Sequence, residues 1–94
     1  MKIGILQAEI YINESRSLKH KRYIVKKLKD RIRKKFNVSV IEAGYLEKWQ
    51  RSLIAAAVLS SDEKIINSTL SRILNLMEKS RDGFEIIRED IEII

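Results

Sequence analysis

The 94-residue sequence has no cysteine and no proline, three glycines, one histidine and one tryptophan. Without cysteine there are no disulfides, no thiolate nucleophile and no cysteine-based zinc site. The three glycines lie far apart in the chain, so no glycine-rich phosphate loop forms, and no serine sits in a nucleophile elbow. No apolar run approaches the roughly 20 residues that span a bilayer. The chain opens on alternating residues rather than a basic stretch followed by an apolar run, so no signal peptide is expected and a cytoplasmic location is. The single histidine, His20, lies among cations at Lys19, Lys21 and Arg22. With no cysteine and no clear carboxylate cluster to join it, it reads as a surface residue and not as a metal ligand.

What is present is charge. The net charge is +6, unevenly spread: eleven Lys or Arg between Arg16 and Lys35 face a single acid, Asp30, which makes that segment +10 and the remainder −4. The hydrophobic fraction of 45% is that of a folded protein. The length suits one domain over residues 1–94.

Periodicity organises the chain. Residues 2–12 alternate, with Gly4, Leu6, Ala8, Ile10 and Ile12 on a wholly apolar face and Ile3, Ile5, Gln7, Glu9 and Tyr11 on a mixed one. Ser17 is an N-cap for a helix over residues 18–35, in which Leu18, Lys21, Val25, Leu28 and Ile32 follow helical spacing. Lys21 falls at the edge of this stripe, where its stem is expected to pack and its ammonium to reach water. A second strand is read over 36–46, with a bulge or bend at Gly44. A third, over 51–60, is apolar on both faces, as in a central strand. Ser60 and Glu63 form a capping-box pattern opening a second helix to about residue 80, which Asp82-Gly83 stops. A last strand covers 84–94. The order is βαββαβ, an α+β sandwich with an antiparallel sheet of order 4-1-3-2 and both helices on one face. Crossover handedness is expected to place strands one and three parallel at its centre.

Function is read most directly from the first helix. Lys and Arg are good helix formers, so a cationic face by itself signals only solubility. Here, however, i,i+4 neighbours such as Arg22–Lys26 and Arg31–Lys35 repel each other by a few tenths of a kcal/mol each. Interspersed Glu would serve a purely structural role better. The candidate phosphate-binding set is Lys19, Lys21, Arg22, Lys26, Lys27, Arg31, Arg33 and Lys34, with Arg51 beyond it. RNA or the ribosome is the expected partner, bound in a salt-sensitive manner. A membrane-surface role is disfavoured because the helix's apolar face is needed for the core. No catalytic constellation stands out, and no cofactor is expected. Glu9 and Glu42, read onto the mixed sheet face, are the only acid–base candidates, with Arg51 to hold an anion. RNA-recognition sheets of the same strand order stack bases on aromatics of the third strand. Here that strand is aliphatic and suits packing against a second subunit instead. A homodimer is therefore expected, with Tyr45, Trp49, Ile54 and Ala56 as interface candidates.

Four blocks occur in series: Ser17-Leu18-Lys19-x-Lys21-Arg22, Leu28-Lys29-x-Arg31-x-Arg33, Phe36-Asn37-Val38-Ser39-Val40-x-Glu42 and Trp49-Gln50-Arg51. Together they make the chain similar to the YlxP-like family of small uncharacterised bacterial proteins. The resemblance spans nearly the whole sequence. It departs at Gly44-Tyr45-Leu46-Glu47, where relatives more often carry an Asp shortly before the Trp. It implies a ferredoxin-like fold. It also implies genes that lie beside those of translation and ribosome-maturation factors, and hence an accessory role near RNA. It brings no activity and no cofactor.

Overall fold

The computed structural model describes all residues Met1–Ile94. Strand β1 (Lys2–Tyr11) buries Gly4, Leu6, Ala8 and Ile10, and Ile12 just beyond it, as the alternation requires. Helix α1 (Leu18–Lys35) begins where the Ser17 hydroxyl accepts the His20 N–H at 3.0 Å. It buries Ile24, Val25, Leu28 and Ile32.

The second strand is shorter than its alternation suggests. Phe36 closes α1 by donating its N–H to Ile32 O at 2.9 Å, and Val38 N–H turns back onto Phe36 O at 3.0 Å. Strand β2 therefore runs only Ser39–Gly44. The expected irregularity is present, as the pairing of β2 with β3 (Arg51–Ser60) shifts between Glu42 and Gly44. Helix α2 (Glu63–Glu78) is capped by Asp62 and not by Ser60. The Asp62 carboxylate accepts Lys64 N–H at 2.9 Å, and the Ser60 hydroxyl accepts Asp62 N–H at 3.0 Å. A carboxylate two residues nearer the helix satisfies the terminal donors and complements the helix dipole. Strand β4 spans Glu85–Ile93.

The sheet order is β2-β3-β1-β4. Strand β1 is antiparallel to both β3 and β4, and β2 is antiparallel to β3. The expectation that strands one and three run parallel is thus corrected. Each helix connects two parallel strands, β1 to β2 and β3 to β4, and in each case the other unit's strand lies between them. Helix α1 lies over the β2 side and α2 over β1, β3 and β4, closing an 18-residue core. Gly4 lies where α2 comes closest to β1. A Cβ there would stand 2.2 Å from Ile66 Cγ2.

The register settles which face of β3 is which. Ile54 is opposite Ala8 and Ala56 opposite Leu6, so both point under the helices and are 2% exposed. Their expected place on an open interface is corrected. Ile3, Ile5, Leu53, Ala55, Ala57 and Leu59 occupy the helix-free face, joined by Ile41 of β2. No helix of the chain is long and apolar enough to cross a membrane.

Candidate nucleic-acid interface

The geometry of α1 gathers most of the predicted cations on its outer surface. Lys19, Arg22, Lys26, Lys27, Arg33 and Lys34 are exposed and Arg31 is half-buried. Tyr23, Lys26, Lys27, Asp30, Arg31 and Lys34 recur at three- and four-residue spacing and share one side of the helix. They line an open groove of about 600 Å³ with Arg33. Tyr23, 64% exposed amid these cations, is a feature that the reading of charge alone passed over.

Two carboxylates neutralise part of this face. Asp30 accepts from Lys26 at 2.8 Å and lies 3.7 Å from Arg33. The hydrogen bond from Lys26, reinforced by the charges of Lys26, Arg33 and Lys29, holds its carboxyl below the usual range. Asp82 comes from the turn before β4 and contacts Lys27 at 3.0 Å and Arg31 at 2.9 Å. Burial pushes the Asp82 carboxyl up, but the Ser80 hydroxyl, Lys27 and Arg31 together outweigh it, and the net shift is downward. Asp82 lies 51 residues from Arg31 in the chain, so no local pattern announces its contacts with α1. Arg33 also donates to Val40 O at 2.9 Å, covering a backbone acceptor of β2, an edge strand of the sheet. Arg16, Lys19, Arg22, Lys29, Lys34 and Lys35 have no carboxylate within ion-pair distance, which leaves six unmatched cations on or beside one helix.

Lys21 does not belong to this face. Its side chain is fully buried, contrary to the expectation of a solvated ammonium. The Nζ donates to Tyr45 O at 2.7 Å, Leu46 O at 3.2 Å and Arg51 O at 3.3 Å, and pairs with Glu42 Oε2 at 2.9 Å. Ser52 Oγ donates to the same carboxylate oxygen at 2.6 Å. Three N–H groups thus meet four acceptors, and every buried side-chain polar atom of the protein has a partner. The signal was in the spacing: Lys21 precedes Val25, Leu28 and Ile32 at intervals of four, seven and eleven, the centre of the buried stripe rather than its edge.

The remaining candidates separate. Glu42 lies opposite Ile54 and hence on the helix side of the sheet, whereas Glu9 lies opposite Leu53 on the free side. The reading of both acids on one mixed face is corrected, and they cannot work as a pair. Glu9, 6% exposed, is held by Arg51 at 2.5 Å and by the Tyr45 hydroxyl at 3.5 Å. The Arg51 guanidinium also covers the Tyr45 ring at 4.9 Å from its centroid. Arg51 therefore serves the free face and is not part of the α1 surface. Tyr45 and Trp49 remain exposed in the β2–β3 loop, at 39% and 54%.

Residues 3–91 match the family described as "Protein of unknown function (DUF503)". The chain belongs to this family. It is 37% identical over 76 residues to "Uncharacterized protein YlxP" of Bacillus subtilis (strain 168), covering 81% of this chain and 83% of that one. Among solved structures it is similar to the de novo designed protein Foldit4, with a TM-score of 0.57, 12% identity and coverage of 100% of this chain and 97% of the other. It is likewise similar to a de novo designed protein with ferredoxin fold, with a TM-score of 0.54, 14% identity and coverage of 100% and 84%. These likenesses establish the ferredoxin fold.

Proposed function

We propose that the protein is a non-enzymatic RNA-binding accessory factor, acting at or near the ribosome, that grips phosphates with the outer surface of α1. The observation that carries this reading is the set of six cations on or beside one helix without a carboxylate partner. Internal carboxylates quench a cationic face when its role is structural, and here only Asp30 and Asp82 do so. A helix carrying this surplus attracts polyanions and repels itself when unoccupied. Binding through about six phosphates is largely independent of sequence and weakens by roughly 10³-fold between 50 and 200 mM salt.

Titration of a structured RNA at several salt concentrations tests this. The variant Arg22→Glu with Lys29→Glu and Lys34→Glu removes only unmatched cations, and is expected to abolish binding while the fold persists. Binding that ignores salt, or that survives the triple reversal, refutes the proposal.

A second reading, a homodimeric protein-interaction module, is favoured by the apolar helix-free face, where Leu59 is 63% and Ile41 57% exposed. With Ile54 and Ala56 in the core, such an interface would use Leu53, Ala55, Ala57 and Leu59, with Tyr45 and Trp49 at its end. A monomer by sedimentation at micromolar concentration removes it. Partner capture that persists after nuclease treatment favours it over RNA binding.

A further inference from the structure

The β2–β3 loop is held far more firmly than a surface connection needs. Buried Lys21 bonds the carbonyls of Tyr45 and Leu46 at its start and of Arg51 at its end. The Gln50 side-chain amide donates to Asn13 O at 2.9 Å, and Gln50 O accepts Ile12 N–H at 2.8 Å. Tyr45 sits at φ 58°, a left-handed conformation that a bulky residue adopts only when its surroundings enforce it. A buried charge and a strained backbone together fix a loop that carries an exposed tryptophan two residues before β3. Trp49 lies outside the core cluster, so the core does not account for its place there.

Trp49 is one wall of a cleft of about 260 Å³ that also contains Tyr11, Lys48, Gln50 and Arg51. Two aromatic rings are thus combined with cations, and the cleft contains no carboxylate of its own. Arg51 is committed to Glu9, but Lys48 has no carboxylate within ion-pair distance. Gln50 also anchors the loop to the Asn13–Ser15 turn that precedes α1.

We propose that this cleft takes one unpaired nucleobase, stacked on Trp49 and Tyr11, of the same RNA whose phosphates α1 holds. The inference rests on the RNA reading of α1 and narrows it to RNA with a bulged or single-stranded nucleotide next to a paired segment. Aromatic rings beside an ammonium stack any base while the cation takes its phosphate, whereas a perfect duplex offers no free base face.

Trp49 is the only tryptophan, so its emission reports this cleft alone. Two short blunt-ended RNA duplexes, one fully paired and one with a single-nucleotide bulge, are titrated into the full chain at low salt. The bulged duplex is expected to quench Trp49 and to bind roughly 5- to 150-fold more tightly. Trp49→Ala is expected to remove that preference yet leave the affinity and salt slope of the paired duplex unchanged. Trp49→Phe should keep most of the preference, and circular dichroism verifies folding of each variant. Equal, salt-sensitive binding of both duplexes without quenching overturns the cleft proposal and leaves the α1 reading standing. Failure of both duplexes to bind overturns both. Emission that shifts with protein concentration in the absence of RNA assigns Trp49 to self-association and also overturns the proposal.

Discussion

Replacing Lys21 with Met tests the internal electrostatics of the fold most sharply. The substitution nearly preserves side-chain volume but removes the ammonium, leaving the carbonyls of Tyr45, Leu46 and Arg51 without this donor and the Glu42 carboxylate, 13% exposed, with only Ser52. Breaking a buried ion pair from one side destabilises by about 3–5 kcal/mol, because the surviving charge stays desolvated. A domain of this size has a total stability of about 5–14 kcal/mol. The variant is therefore expected to lose about a fifth or more of it, and its midpoint to fall by at least ~12 °C. Glu42→Gln should be milder, since the ammonium keeps its three carbonyls. The double variant should recover about 0.5–3 kcal/mol relative to the sum of the singles. Chemical denaturation followed by Trp49 emission and by far-ultraviolet circular dichroism measures this, and coincident transitions confirm two-state unfolding. A loss below about 1 kcal/mol for Lys21→Met would refute the claim that this ammonium locks the loop to the helix.

Other variants address separate parts of the structure. Asp82 has a folded carboxyl held below its ordinary value of 3.8, so its contribution to stability is full above that pH and is lost as pH falls through the folded value. Asp82→Asn should flatten the acid limb of stability against pH. It should also free Lys27 and Arg31, tightening RNA binding and steepening its salt dependence; an unchanged acid limb contradicts the assignment. Gly4→Ala sets a Cβ 2.2 Å from Ile66 Cγ2 and should destabilise by about 1–3 kcal/mol through displacement of α2, with neutrality in denaturant as the contrary result. Ile54→Ala should lose about 2–5 kcal/mol, because Ile54 is 2% exposed beneath the helices. Leu59→Ala, on the free face, should stay within about 0.5 kcal/mol in the monomer; the reverse ranking would overturn the register of β3.

Element order, the cap at Ser17, the β2 bulge and the strand order were legible because each rests on local chemistry or on chain connectivity. The inner face of β1 was legible for the same reason, since its two sides differ in polarity. Strand β3 defeated that logic. Both of its sides are apolar, so nothing in Leu53-Ile54-Ala55-Ala56 distinguishes core from free face until the pairing with β1 does. Glu42 was misplaced for a different reason: alternation puts it on the same face as Val40, beneath the helices, and its acidic type overrode that position. Lys21 was misread because residue type outweighed position: a lysine on an apolar stripe is ordinarily solvated at its tip, yet here the loop from Tyr45 to Arg51 supplies acceptors that only the tertiary fold brings within reach. The unmatched cations were legible as charge. That Asp82 would quench two others was not, since it arrives from the far end of the chain.

The basic helix is thus two electrostatic devices on one scaffold, a division invisible in its net charge. Lys21 points inward and is consumed by the fold; Arg22, the next residue, points outward and has no carboxylate partner. The helical period makes this separation possible, since consecutive residues lie about 100° apart around the axis. The inward lysine fixes the loop that carries Trp49, and the outward cations set the long-range field. The two are mechanically coupled, although they contact different things. Field strength governs how quickly and how salt-sensitively a polyanion arrives, while the geometry of the loop governs what can be distinguished once it has arrived. A protein with the outer cations alone would bind any phosphate backbone. On the proposed RNA reading, the buried ion pair, which adds little net stability over a well-packed apolar replacement, is the element that would add discrimination to that attraction.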